Sequence, residues 1–331
     1  MKKLYLSGML LLIASLASCG GTSGNNTSSE MGSSNGIGNT SETENSSSQP
    51  ANATIKVYTR DTTSGTRDGF FTTIGFEEAI KDDTVLVDGA VTVDGNGSMI
   101  NSIKNDEYGI GYASLSGLDG VKTLKYNGVE ATEANVLNET YGLKRNFNYV
   151  TRTEFTNTKE EQIVEAFVAY LSTQEAKVTI KANGGIVSVK ASDPKWEDIK
   201  GDYQITQEDN SGVTIKFGGS TSVEKIAKAL SSEFSKKCGN FKTQHNHTGS
   251  GDAYKRVQGS EKDSSNSLHI GFASREFKLS DSEPCEKGSY GLICIDAIAV
   301  IVNNENQLED ITAEKLKNIY DGTFTKWSEV E

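Results

Sequence analysis

Three stretches far apart along the chain share one pattern: a strand-like apolar run, a small turn of Gly, Ser and Thr, then a helix start. They are Thr54–Phe71 (TIKVYTRDTTSGTRDGFF), Val213–Ala227 (VTIKFGGSTSVEKIA) and Asn240–Val257 (NFKTQHNHTGSGDAYKRV). Each supplies hydroxyls and free backbone N–H groups at the positive end of a helix dipole, a setting that suits an anion. One such junction says little, because Gly and Ser punctuate loops everywhere. Three that converged on one point would hold a tetrahedral oxyanion without a metal.

The 331 residues and 35% apolar content are enough for two domains with sizeable cores. Part of the length is a targeting segment. Lys2 and Lys3 form a positive start, Leu4 to Leu16 an apolar stretch short for a membrane span, and Leu16-Ala17-Ser18-Cys19 closes it with small residues. This pattern reads as a lipoprotein signal over 1–19, with Cys19 lipidated and first in the mature chain. Residues 20–53 are Ser, Asn, Thr, Gly and Glu with almost no large apolar side chain, which predicts a disordered tether. A formal charge of −12 argues against nucleic acid or an anionic lipid surface as a partner. The remaining cysteines, Cys238, Cys285 and Cys294, allow one disulfide and leave one thiol over.

Strand-like runs alternate with amphipathic helices, the pattern of α/β layers. One helix is expected over Val223–Phe234 with Thr221 and Glu224 as a capping box, a second over Glu160–Leu171 with Thr158 and Glu161, and a third over Ala313–Tyr320 stopping at Gly322. Buried strands are expected at Thr214–Phe217, Leu268–Ala273 and Leu292–Val302, the last interrupted by Asp296. Residues 191–212 are polar and aperiodic, and read as a linker.

In cyclic register, eight short motifs resemble the PstS-type phosphate-binding proteins of bacterial ABC importers. They are Gly219-Ser220-Thr221-Ser222, Thr248-Gly249-Ser250-Gly251, Ile270 to Glu276 (IGFASRE), Asp296 to Asn303, Ile319 to Trp327, Thr59 to Phe70, Asn96 to Leu115, and the helix from Glu160 to Leu171. The resemblance implies a two-lobe periplasmic-binding-protein-like α/β fold with a hinge and an inter-lobe ligand cleft. The order here is rotated, as in a circular permutant, which nearby chain ends make feasible. Mapped on the chain, lobe two is 54–148 and 304–331, lobe one is 149–190 and 213–303, and the linker at 191–212 joins the family's usual ends. Docking of the last segment into a second molecule, a swapped dimer, is the competing arrangement.

The resemblance further implies a substrate-binding lipoprotein outside the cytoplasm, anchored to the cell membrane by Cys19. It would bind inorganic phosphate and pass it to ABC permease subunits, with no cofactor, metal or catalytic residue. Its ligand shell would be Ser220, Thr221, Ser222, Ser250, Ser274 and Arg275 from lobe one, and Arg60, Ser64, Gly65 and Thr66 from lobe two. Arg60 and Arg275 would bring the positive charge. The plainer alternatives are that Ser64 and Ser250 are helix caps and that Arg60 and Arg67 form surface ion pairs. A carboxylate that accepts the proton of phosphate would exclude sulfate, and Asp61, Asp252 and Asp296 are candidates. Sulfate or molybdate is an alternative ligand. A zinc pair at His245 and His247 is a weaker alternative, and an enzyme using Ser250 weaker still, because no G-x-S-x-G elbow is present.

Overall fold

The computed structural model describes residues 52–330. The signal segment, Cys19 and the tether as far as residue 51 lie outside the described residues. In chain order the first elements are β1 (Lys56–Arg60), α1 (Gly65–Thr73), β2 (Val91–Val93), α2 (Asn96–Lys104), β3 (Gly109–Ser114), β4 (Lys122–Thr123), β5 (Lys125–Tyr126) and α3 (Glu133–Leu137). The middle of the chain forms β6 (Lys144–Thr151), α4 (Thr158–Leu171), α5 (Gln174–Ala182), α6 (Trp196–Ile199), β7 (Thr214–Gly219), α7 (Glu224–Lys237), β8 (Lys242–His247), α8 (Gly251–Val257) and β9 (Ile270–Ala273). Then follow β10 (Tyr290–Val302), β11 (Asp310–Ile311) and α9 (Ala313–Tyr320).

The main sheet runs β2-β1-β3-β10-β6-β9-β7-β8, with β4 also beside β10. Parallel pairing joins β1 to β2 and β3 at one end, and β7 to β8 and β9 at the other. Between them run the two longest strands, antiparallel to each other. The second part of β10, Ile298–Val302, pairs with β3, and the first part, Tyr290–Ala297, pairs with β6. The thirteen residues YGLICIDAIAVIV carry apolar side chains on both faces, as a strand covered on both sides must.

Each end of the sheet is a sandwich, and this makes two lobes. In one, Phe70 and Phe71 of α1 and Leu316, Ile319 and Tyr320 of α9 cover one face, while Met99 and Ile103 of α2 cover the other. In the other, α4, α5 and α7 bury Ile163, Phe167, Ile180, Ile226, Leu230 and Phe234 against one face, and α8 buries Ala253 and Val257 against the other. Ile293 and Cys294 of β10 belong to the second core, whereas Ile298, Val300 and Val302 belong to the first. One strand therefore crosses from lobe to lobe. The C-terminal segment packs onto β1 of its own chain, where Tyr320 Oη donates to the Tyr58 carbonyl (3.0 Å) and Thr54 bridges Lys326.

Two helix starts differ from expectation. The α4 cap is Asn157, whose side chain accepts from Lys159 N, rather than Thr158. No capping box forms at α7, because Val223 is its cap and Thr221 points elsewhere. The stretch 191–212 is not a bare linker. Trp196 is 2% exposed, packs edge-on to Tyr170 and Phe234, and joins the lobe core with Ile205. Asn210 closes the segment by donating from Nδ2 to Ile205 O (2.8 Å). A lone Trp and Ile among charges leave no periodic trace, so their burial is a tertiary effect. Cys238, Cys285 and Cys294 are all free thiols, and burial pushes Cys238 and Cys285 up to about 12.

The buried Trp196 yields a direct check. Trp196→Ala should cost about 3–5 kcal/mol through lost burial and the cavity left behind. Urea unfolding measures this. A change within about 0.5 kcal/mol, as at an ordinary surface position, would contradict the packing described.

Candidate oxyanion site

In lobe one the chain leaves β7 at Gly219, whose φ is +98° and whose Cβ position would collide with the Phe272 carbonyl. Glycine permits both the left-handed backbone and the close approach to β9. Ser220 and Ser222 follow, each 2% exposed, and Ser220 Oγ accepts from Ser222 N (3.2 Å). Ser250 stands at the start of α8 but does not cap it with its side chain. Its Oγ instead accepts from Ser274 N (3.0 Å) and lies 3.0 Å from Ser274 Oγ at the end of β9. The hydroxyls of the second junction and of the β9 end are thus one unit.

In lobe two Ser64 is a true cap of α1, accepting from Thr66 N (3.2 Å) and Arg67 N (3.4 Å). Its plainer reading therefore describes its side chain. Gly65 faces the other lobe directly: a Cβ there would stand 2.5 Å from Ser250 Oγ and 2.7 Å from Ser274 Oγ. Thr66 Oγ1 lies 3.1 Å from Ser222 Oγ, and Thr63 O accepts from Gly251 N (3.1 Å). Thr221 Oγ1 accepts from Asn96 N (3.4 Å) at the start of α2, which is why it is not available to cap α7. All three junctions meet.

Behind them lies a buried ion pair that the site expectations did not include as a unit. Arg145 of β6 and Asp296 of β10 face each other in register, 7% and 0% exposed. Arg145 donates to Asp296 Oδ2 from Nε (3.0 Å) and Nη2 (2.9 Å), and from Nη1 to Ser274 Oγ (3.2 Å). Asp296 Oδ1 accepts from Ser114 Oγ (2.7 Å), whose neighbour is Ser116 Oγ at 2.8 Å. Burial presses the Asp296 carboxyl upward, against the pull of Arg145 and Ser114, and burial lowers the Arg145 guanidinium against the pull of Asp296. The sequence carried a signal for the acidic half alone, since an aspartate inside a continuous apolar strand requires a buried partner without saying which.

The other expected charges are placed differently from one another. Arg60, 1% exposed, is no surface residue. It donates from Nε to Val93 O (3.1 Å) and from Nη2 to Asp94 O (3.0 Å), and it pairs with Asp61 at 3.6 Å. Arg67 is also fully buried, donating to Ala79 O, Arg60 O and Asp83. Arg275 is not brought into the cluster: its fork is taken by Glu283, at 2.6 and 2.8 Å. Among the three candidate carboxylates, Asp61 bonds Thr63 and Asp252 bonds Thr248. Asp296 alone of these three joins the hydroxyl network.

The two strand histidines face each other rather than an open position. His245 Nδ1 is 3.1 Å from His247 Nε2, His245 Nε2 is 3.0 Å from Ser231 Oγ, and His247 Nδ1 is 3.0 Å from Ser220 O. All four ring nitrogens are engaged, and the rings stack between Phe217 and Phe272. His269 accepts from Lys216 N (3.1 Å).

Two α/β lobes joined by crossing strands, with polar turns from both converging at the crossing, define a periplasmic-binding-protein-like protein. Residues 205–331 match the family described as a PBP superfamily domain. The chain is 29% identical over 303 residues to the phosphate-binding protein PstS 2 of Streptococcus agalactiae, covering 89% of this chain and 94% of that one. It is 26% identical over 290 residues to PstS 2 of Streptococcus pneumoniae, covering 86% and 90%. The crystal structure of a phosphate ABC transporter's phosphate-binding protein from Streptococcus pneumoniae superposes with a TM-score of 0.60 at 24% identity, over 84% of this chain and 100% of that one. The chain thus shares the periplasmic-binding-protein-like fold, and over nearly its whole length it is similar to proteins named PstS 2.

Burial, chiefly, lowers both His245 and His269 to about 4. A folded-state value below the unfolded value of about 6.5 means the native state favours the neutral ring. The stability involved is therefore complete above pH of about 6.5 and is lost as pH falls toward 4. The urea midpoint should decline across that window, and His245→Gln should make the decline shallower. Equal slopes would show that His245 does not titrate with unfolding.

Proposed function

We propose that the chain captures inorganic phosphate outside the cytoplasm and delivers it to the permease of an ABC importer, held to the cell membrane by a lipid on Cys19. The observation that carries this reading is the meeting of hydroxyl-bearing turns from both lobes, with Thr66 Oγ1 3.1 Å from Ser222 Oγ and Gly65 against Ser250 and Ser274. The phosphate-binding names of the similar streptococcal proteins support it. The chain is a carrier, not an enzyme.

A doubly charged tetrahedral ion is costly to dehydrate, so each oxygen must receive hydrogen bonds in place of water. Ser220, Thr221, Ser222, Ser250 and Ser274 supply hydroxyls from lobe one, and Thr66 from lobe two. The Gly65 N–H lies at the positive end of α1 and adds a donor without mobile charge, while the next two N–H groups are held by Ser64 Oγ. Arg145 contacts the cluster through Ser274 Oγ, with its charge balanced by Asp296. On this reading the ion replaces weak hydroxyl–hydroxyl contacts with charge-assisted ones, and lobe closure completes its shell.

The rotated order is read as a circular permutation. Trp327 N donates to Ala53 O (3.1 Å) and Ile55 N to Thr325 O (2.8 Å), so the two ends of the described chain lie side by side. The packed segment at 191–212 is the corresponding join, between α5 and β7.

Calorimetry of the purified chain against phosphate, sulfate and molybdate should show phosphate binding and no sulfate binding. Sulfate affinity equal to that for phosphate would refute the selectivity, and no binding of phosphate would refute the function. Gly65→Ala should weaken phosphate at least about tenfold, or about 1.4 kcal/mol, because its methyl group would enter the space of Ser250 Oγ. Unchanged affinity would remove Gly65 from the site.

A further inference from the structure

We propose that the Arg145–Asp296 pair is the positioning element of the oxyanion site, fixing the proton direction of the lobe-one hydroxyls rather than touching the ion. The inference rests on the phosphate-binding reading. Arg145 uses Nε and Nη2 on Asp296 and turns Nη1 to Ser274 Oγ. A guanidinium can only donate, so Ser274 Oγ accepts at that contact. The adjacent positive charge directs the Ser274 hydroxyl proton away from Arg145 and toward Ser250 Oγ, 3.0 Å away. Ser250 Oγ also accepts from Ser274 N (3.0 Å). With both its lone pairs filled, Ser250 has its own proton left to donate, on the side where Gly65 leaves no side chain.

Asp296 keeps this chain in place from behind. Without a carboxylate at Oδ2 the Arg145 guanidinium loses the two N–H contacts to that oxygen that orient its third. On the other oxygen, Asp296 accepts from Ser114 Oγ at the end of β3, so the pair holds one hydroxyl from each lobe. Both residues are on the two strands that cross between lobes. The direction of donation is thus set on the crossing strands and presented at the seam between the lobes. A free serine hydroxyl must lose rotational freedom to donate to a ligand; here that cost is met during folding.

The test uses phosphate calorimetry with thermal unfolding on the purified chain. Arg145→Gln alone leaves Asp296 buried without its counter-ion and is expected to be much less stable. The informative variant is therefore the double change Arg145→Gln with Asp296→Asn, which removes both charges. It should remain folded and bind phosphate at least about tenfold more weakly, as losing an oriented, charge-assisted hydrogen bond predicts. Ser274→Ala should bring a similar loss. Adding it to the double variant should weaken binding by less than about threefold further, since all three changes break one chain. A double variant that regains stability and binds phosphate like the native chain would show a purely structural pair and overturn the proposal. Full additivity with Ser274→Ala would place Arg145 on the ion itself, and would overturn it too. A native chain that binds no phosphate would sink the functional reading first, and this inference with it.

Discussion

The polar seam is organised around an ion pair placed where two long strands cross from one lobe to the other. Taking a carboxylate and a guanidinium out of water costs several kcal/mol per ion unless each finds close partners. Arg145 and Asp296 find them in each other, directly opposed across the β6–β10 ladder, and in one serine from each lobe. Replacing either with a small apolar residue would strand the other. The pair is matched across the β6–β10 ladder and bonds Ser274 and Ser114, one serine of each lobe.

Against that rigid centre, the contacts that close the lobes over one another are weak. They include the Thr66–Ser222 hydroxyl pair, the Asn96 N to Thr221 bond, the Gly251 N to Thr63 bond, the Lys225 Nζ to Ser116 O bond at 3.3 Å and the exposed Lys181–Glu133 ion pair. The neutral hydrogen bonds among them contribute roughly 0.5–1.5 kcal/mol each, after what is lost to water, and an exposed ion pair about 0–1 kcal/mol. A charged guest can outbid such contacts, since hydrogen bonds to an ion are about twice as strong. By contrast, the apolar cores on either side keep Phe70, Tyr112 and Tyr320 in one lobe and Phe167, Phe217 and Phe234 in the other away from water. Each lobe is held by burial, and the seam between them by exchangeable polar contacts.

Much of this was legible in the residues. The residue pattern located α9 at its observed bounds and placed β7 and β10 to within two residues, because a helical repeat and apolar strand runs are local signals. The three Gly-Ser-Thr junctions were visible for the same reason. What stayed hidden was the pairing of charges. Arg145 sits in KRNFNYV, where nothing local distinguishes a buried arginine from a solvated one, and Arg275 looked better because it follows a strand end next to Ser274. Glu283, eight residues on, captures Arg275 through a loop whose path no pattern predicts. Thr221 misled in a similar way: its spacing to Glu224 fits a capping box, yet a contact with the opposite lobe holds its hydroxyl.

The path of the chain bears on how closure works. The described chain begins in the lobe of β1, enters the other along β6 and returns along β10, so the lobe built on β7, β8 and β9 is reached by two strands alone. Those strands pair with each other over Lys144–Val150 and Tyr290–Ala297, with a register shift between Leu292 and Cys294. A two-strand ribbon resists stretching through its ladder but twists easily, and a bulge concentrates that twist. Relative motion of the lobes is therefore best accommodated as twisting of β6 against β10. Arg145 and Asp296 sit on that ribbon at the end nearest β3, beside the axis of such a motion. Groups close to an axis move least, so the same pair can hold its serines while the turns farther out separate and meet.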